Sequence, residues 1–247
     1  MRRIKLIVAY DGTNYCGWQV QPGQRTIEGE LNKALSELLK EEIHVIGASR
    51  TDAGVHGLGN IAVFDTDSRI PGEKFSHALN QRLPEDIVVN HSEEVDPDYH
   101  PRKCSSVKTY EYQIWNHPFP NPMNRRYSAF VYVPLDEKRM QQAADYLVGE
   151  HDFTSFCSVA TQVESKVRTI YSLKVSREGE LITIRVQGNG FLYNMVRIIA
   201  GTLIKVGQGA IEPEQLPKIL AAMDRQAAGP TAPPEGLTLV EIRQECE

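Results

Sequence analysis

Two stretches of this chain bring together residue types that do chemistry. The first is Ser49-Arg50-Thr51-Asp52-Ala53-Gly54-Val55-His56. Its small, polar, turn-forming residues set an arginine and an aspartate on either side of a threonine, so a tight turn can send both charged side chains into a cleft. A carboxylate held that way acts as a nucleophile or a general base. Read alone, Asp52 serves equally well as a turn or capping aspartate. The second stretch is Phe191-Leu192-Tyr193-Asn194-Met195-Val196-Arg197-Ile198-Ile199-Ala200-Gly201. It is apolar around most of a helical circumference, with Asn194, Arg197, Gly201 and Lys205 on one narrow stripe, which predicts a largely buried helix. A guanidinium there keeps its charge and needs a carboxylate partner. That partner is either an ordinary internal acid or an active-site acid that the arginine keeps ionised.

Other patterns exclude chemistry. Gly188-Asn189-Gly190 lacks the third glycine and the ribose-binding acid of a dinucleotide fingerprint. Gly207-Gln208-Gly209 reads as a helix C-cap. The seven histidines show no metal spacing, so no metal is expected. Cys16, Cys104, Cys157 and Cys246 are far apart with no C-x-x-C pair, which predicts free thiols in a reducing compartment. No window approaches the roughly 18 apolar residues that span a bilayer. The N-terminus lacks a signal peptide's apolar run, so a cytoplasmic address is expected.

The net charge is −5, from 27 basic and 32 acidic residues, and does not advertise a nucleic-acid partner. The charge is segregated, however. Between Arg102 and Arg126 lie five basic side chains and one acid, whereas residues 85–98 carry six acids and no Lys or Arg. A local basic face binds phosphates on an acidic molecule, although such clusters also occur as plain solvated surface.

The elements that must position these residues follow from periodicity. Residues 4–10 read as a strand and 11–25 as a turn-rich stretch. Residues 26–41 form an amphipathic helix with Thr26 as N-cap. Strands at 44–48 and 60–64 flank the Asp52 loop, then come a helix at 73–82 and a strand at 87–90. This β-α-β-β-α-β order predicts a ferredoxin-like split βαβ domain. The order then roughly repeats: a strand at 107–115 with Tyr110 and Tyr112 on one face, a helix at 136–147, a hairpin of 170–175 and 181–186, a long helix at 191–206, and a strand at 237–242. Residues 229–234 are too rich in proline and glycine for a helix. The expected fold is α+β: two ferredoxin-like halves, 1–103 and 104–247, forming an extended antiparallel sheet with helices on one face and a cleft on the other.

The loop at 49–56 resembles the active-site signature of the tRNA pseudouridine synthase A family, and the likeness runs along essentially the whole chain. Tyr10-Asp-Gly-Thr-Asn-Tyr-Cys-Gly-Trp-Gln19, Lys108-Thr-Tyr-Glu-Tyr112, His151-Asp-Phe-Thr-Ser-Phe156, Arg168-Thr-Ile170, the run from Phe191 to Arg197 and Glu235-Gly-Leu237 all resemble family motifs, in order. The resemblance implies an isomerase that converts uridine to pseudouridine at positions 38, 39 and 40 of the tRNA anticodon arm, without cofactor or metal. It implies that Asp52 is the nucleophile, with Arg197 holding it ionised, Tyr110 stacking on the target base and Leu237 lining the pocket. Base flipping would be assisted by Arg50, with tRNA contacts expected from Tyr99, His100, Arg102, Lys103, Arg125, Arg126 and Arg168. It also implies a homodimer. Two rivals are a non-catalytic pair of RNA-recognition modules, whose aromatic strand motif is not matched here, and a metal-dependent phosphoesterase using Asp52 and His56, which EDTA would inactivate.

Overall fold

A computed structural model describes residues 1–161 and 163–245. It is a mixed α+β structure with ten strands, mostly antiparallel, and five α-helices. The chain divides into two compact units, Met1–Ser106 with Leu239–Glu247, and Val107–Thr238. The final strand, whose sequence pattern continues the second half, thus groups from Leu239 onward with the first unit.

In the first unit, β1 (Arg2–Tyr10) alternates so that Ile4, Leu6, Val8 and Tyr10 are buried. It lies between β3 (His56–Thr66) and β4 (Ile87–Val95), antiparallel to both. Helix α1 (Ile27–Leu39) lays Ile27, Leu31 and Leu35 into the core, where Phe75 and Leu79 of α2 (Phe75–Asn80) meet them. Thr26 caps α1 as expected, its hydroxyl accepting from Gly29 N. The strand expected at 44–48 shrinks to β2 (Ile46–Gly47), which pairs with β3. The cause lies in α1: its Ser36 and Asn32 side chains accept the backbone N–H groups of Ile43 (2.9 Å) and Val45 (2.8 Å), taking donors that a strand ladder would use. The second helix is shorter than 73–82 because its first turn is a 3₁₀ turn (Gly72–Lys74) and Asn80 ends it. The Asn80 amide bonds both the N–H (2.8 Å) and C=O (3.0 Å) of Val89, where the β1–β4 register slips by one residue.

Across β1 and β3, Arg3 grips Asp65 as a two-pronged fork, Nε to Oδ1 and Nη2 to Oδ2, both 2.7 Å. The guanidinium holds the Asp65 carboxyl below its ordinary range, against the opposing effect of burial. A depressed carboxylate pKa gives stability that is present above about pH 4 and lost as pH falls through the folded value. Asp65→Asn is therefore expected to lower the melting temperature at pH 7 but to narrow its gap to the parent protein as pH falls below 4. A gap that stays constant from pH 7 to pH 3 would show that the charge contributes nothing.

In the second unit the strand order is β5-β9-β8-β7, with β5 (Ser105–Asn116), β9 (Leu181–Gly188), β8 (Val167–Glu178) and β7 (Gly149–Asp152) all antiparallel to their neighbours. A short β6 (Ala129–Val131) runs parallel to the end of β5. Helix α3 (Glu137–Asp145) starts at Asp136, whose side chain accepts from the N–H groups of Lys138 and Arg139. Its Gln141 side chain bonds Leu173 O (3.2 Å) and Val175 N (2.6 Å), covering the stretch of β8 that β7 does not reach. The β8–β9 turn falls at Gly179, φ 57°. Helix α4 (Met195–Gly207) begins four residues later than its apolar pattern suggested, because Asn194 adopts φ 61° and Phe191 turns aside. Helix α5 (Leu216–Ala222) and β10 (Leu237–Glu245) complete the chain. No helix among the described residues is long and apolar enough to cross a membrane. Cys16 and Cys157 are free thiols as expected, whereas Cys104 is disulfide-bonded, which corrects the expectation for that residue. Cys246 lies outside the described residues.

Candidate active site

In the first unit, the Asp52 loop is built against the 10–19 segment, which bonds groups on both sides of the aspartate. Trp18 N donates to Thr51 O (3.1 Å), Gly54 N to Tyr15 O (3.2 Å), and Gly12 N to His56 Nδ1 (3.0 Å). The Tyr10 and Thr51 hydroxyls are 2.9 Å apart, and Asn60 Nδ2 donates to Ser49 O (3.0 Å). Inside the loop Val55 N closes a turn on Asp52 O (3.2 Å). The two segments also touch where only glycine fits. A Cβ on Gly12 would lie 2.0 Å from Val55 O, and one on Gly17 would lie 2.6 Å from Thr51 O. Ser49, Thr51, Val55 and His56 are buried, and Asp52 is half-buried. The result is a carboxylate on a backbone with little freedom to move, the precondition for a positioned nucleophile.

Arg50 is exposed and makes no hydrogen bond or ion pair among the described residues. Arg102 reaches back to donate its Nε to Gly47 O (2.7 Å). Burial, and then the like charge of Arg50, push the Arg102 guanidinium below its ordinary value, with only Glu28 opposing. Arg50 lies in the Asp52 loop itself and Arg102 is tied to the strand that leads into it, so two like charges stand near one another there. Tyr99 and His100 are half-buried. The Tyr99 hydroxyl bonds Gln244, its carbonyl accepts from Arg3 (2.7 Å), and His100 Nδ1 accepts from Arg102 N (3.2 Å), so both shape the segment that carries Arg102. Lys103 is exposed.

In the second unit, Tyr110, Tyr112 and Ile114 share the buried face of β5 with Val186, Ile184 and Ile182 of β9. Tyr110 stacks edge-to-face on Phe191, ring centroids 5.2 Å apart. Tyr112 donates to Pro233 O (2.8 Å), and burial drives its pKa up, with the Arg197 charge pulling the other way. Arg197 lies on that same face. Its Nε donates to Ala232 O (2.8 Å) and its Nη1 to Asn194 Oδ1 (2.9 Å), while Ala232 N returns a bond to Arg197 O (3.0 Å). Tyr110 is thus buried, with its ring against Phe191. Gly201 lets the 229–234 loop approach, since a Cβ there would sit 1.9 Å from Pro230 O. Gly236 does the same for the Tyr112 ring, at 2.7 Å, and Leu237 beside it is buried. Arg168 is half-buried and donates to Ser165 O (3.1 Å) and Val167 O (2.6 Å), while Arg125 and Arg126 are exposed on the 117–128 loop.

Tyr10, Gly12, Gly17 and Asn60 were not singled out individually from the sequence. Their signal was the 10–19 motif itself, whose glycines imply close backbone approach. Among the described residues no group of three or more His, Cys, Asp or Glu side chains is placed to hold a metal ion.

Comparison with known proteins gives the family. The family model described as tRNA pseudouridine synthase matches residues 6–102 and 143–244. A tRNA pseudouridine synthase A of Brevibacillus brevis is 52% identical over 242 residues, 98% of this chain and 99% of that protein. One from Ruminiclostridium cellulolyticum is 51% identical over 243 residues, 98% of this chain and 99% of its own length. That of Geobacillus kaustophilus is 44% identical over the full 247 residues and 96% of its own length. With similarity of that depth over both units, the chain belongs to the tRNA pseudouridine synthase family of isomerases.

Proposed function

We propose that this enzyme isomerises uridines 38, 39 and 40 in the anticodon stem-loop of tRNA, with Asp52 as nucleophile and Tyr110 and Arg197 as the other catalytic groups. The observation that carries the reading is the backbone cage around Asp52: two motifs about forty residues apart in sequence interlock through hydrogen bonds and glycine contacts at the loop that bears this half-buried carboxylate. The Asp52 carboxylate adds to uracil C6 or attacks ribose C1′. By either route the N1–C1′ bond breaks, a C5–C1′ bond forms, N1 gains a proton and C5 loses one to solvent. Reactant and product are isomers, so the balance needs no redox partner or energy source.

Tyr110 supplies a ring for the target base to stack on and a hydroxyl within reach of the C5 proton. Arg197 contributes a fixed positive charge that favours an ionised carboxylate. Arg50 and Arg102 supply the anion site where phosphates of a splayed strand bind while the base is swung out. Arg125, Arg126, Lys103 and Arg168 extend that contact, and Leu237 packs against the base. Two ferredoxin-like halves are the natural reading of the order β4-β1-β3-β2 with its helices, and of the run β5, α3, β8, β9, α4, β10. The working form in this reading is a homodimer.

The direct test is to treat an unmodified tRNA transcript with the purified protein and map pseudouridine. Modification at 38, 39 and 40 is expected, and modification confined to another arm would refute the site assignment. Arg197→Gln should lower turnover by about 100-fold, as loss of a single preorganised charge stabiliser does, with little change in tRNA affinity. If its turnover matched the parent's, Arg197 would be a structural residue of the 229–234 loop only.

A further inference from the structure

The 117–132 loop exposes aromatic and apolar side chains that packing in the second unit does not require. Phe119 is 72% exposed, Met123 82% and Tyr132 69%, and Tyr127 and Phe130 are exposed as well. Soluble proteins rarely leave a concentration of this kind uncovered unless something binds there.

The loop is built to hold its rings in place. The Trp115, His117 and Phe119 rings follow one another at 5.9 and 6.0 Å. Trp115 Nε1 donates to Phe119 O (3.1 Å), and Phe119 N donates to His117 Nδ1 (3.0 Å). Prolines 118, 120 and 122 fix backbone angles, and Arg125 Nη1 donates to Pro122 O (2.7 Å). Phe130 on β6 stands beside Trp115 in the strand register. Rings ordered before binding cost little further entropy on binding.

Charge decides between occupants. From Glu111 to Asp136 the sequence has no other acid, while Arg125 and Arg126 are both present and exposed. Nucleic acid brings the complementary pair: phosphate for the arginines and base faces for the rings.

We propose that the 117–132 face is a stacking platform for unpaired bases of the tRNA, away from the target uridine. The proposal rests on the reading of tRNA as substrate, and locates a second region of contact. Trp115 lies five residues beyond Tyr110 on β5, about 17 Å along the strand, and alternation puts the two on opposite faces. The platform therefore meets a part of the tRNA other than the reacting nucleoside, and it acts on affinity and not on the chemical step.

The test measures tRNA binding by filter retention, and steady-state tritium release, for the full-length protein carrying Phe119→Ser with Tyr132→Ser. Kd and KM for tRNA should rise about tenfold, as loss of base stacking does, with kcat unchanged. Phe119→Trp, which keeps a ring, should bind like the parent. Arg125→Gln should shallow the slope of log K against log salt by roughly 0.7 to 0.9. Unchanged Kd in the double variant overturns the proposal. So does a change in its solution mass, which would make the face a contact between copies. Because binding is read without turnover, the outcome is independent of the Asp52 assignment: loss of affinity here with normal tritium release from Asp52→Asn would sink that assignment and leave the platform standing.

Discussion

Asp52→Asn should abolish tritium release from C5-labelled tRNA, by at least about 10⁴-fold, while tRNA still binds with the parent's affinity. Losses of that order follow removal of a nucleophile from a site whose other parts are intact. Asparagine is nearly isosteric, so the cage survives the change. Val55 N still has its backbone acceptor at residue 52, and the bonds from Trp18, Gly54 and Gly12 run to neighbours of the substituted side chain. What disappears is the anionic oxygen: a neutral amide does not form the transient ester that either route requires. Asp52→Glu should be almost as inactive, because an extra methylene moves the carboxylate by more than the roughly 1 Å misplacement that costs about 100-fold. Pseudouridine formation at a rate near the parent's in the asparagine variant would end the claim of covalent catalysis by this residue.

The Asp52 loop was legible in the sequence, and the cage that holds it was not. Asp52 sits in a short run of turn-forming residues after a strand, a purely local signal, and α1 was equally plain because Thr26 and the spacing of Ile27, Leu31 and Leu35 are local too. Elements set by distant groups were misjudged. Residues 44–48 have strand-like alternation, yet only two of them pair with β3, because side chains of α1 capture the N–H groups of Ile43 and Val45. The α4 pattern begins at Phe191, but that ring packs on Tyr110 and the left-handed Asn194 delays the helix to Met195. β6 and β7 are three and four residues long, too short for any period to emerge. The grouping of residues from Leu239 with the first unit depends on tertiary contacts with no local trace. The glycines of the cage follow the same logic: the sequence reveals a glycine, but only the neighbour across the chain shows why no other residue fits.

That point makes Gly17 and Gly23 a matched pair. Both have positive φ, +85° and +71°, so alanine at either incurs the strain of a left-handed backbone, about 1 to 2 kcal/mol. They differ in what surrounds them. A Cβ on Gly23 meets nothing within 4 Å, whereas one on Gly17 falls 2.6 Å from Thr51 O, 3.1 Å from Asp52 C and 3.2 Å from Ala53 N. All three neighbours are backbone atoms of the Asp52 loop, and restoring ordinary contact moves that backbone by most of an ångström. Gly23→Ala should therefore lower the melting temperature modestly and leave kcat untouched. Gly17→Ala should lower it by more and cut kcat about 100-fold at temperatures where the protein remains folded, since a displacement near 1 Å costs about that much in a positioned reaction. The tRNA affinity of Gly17→Ala should hold, because Arg50 is exposed and unrestrained and Arg102 is anchored separately on Gly47 O. Equal kcat in the two alanine variants would mean that the 10–19 segment stabilises the first unit without positioning Asp52.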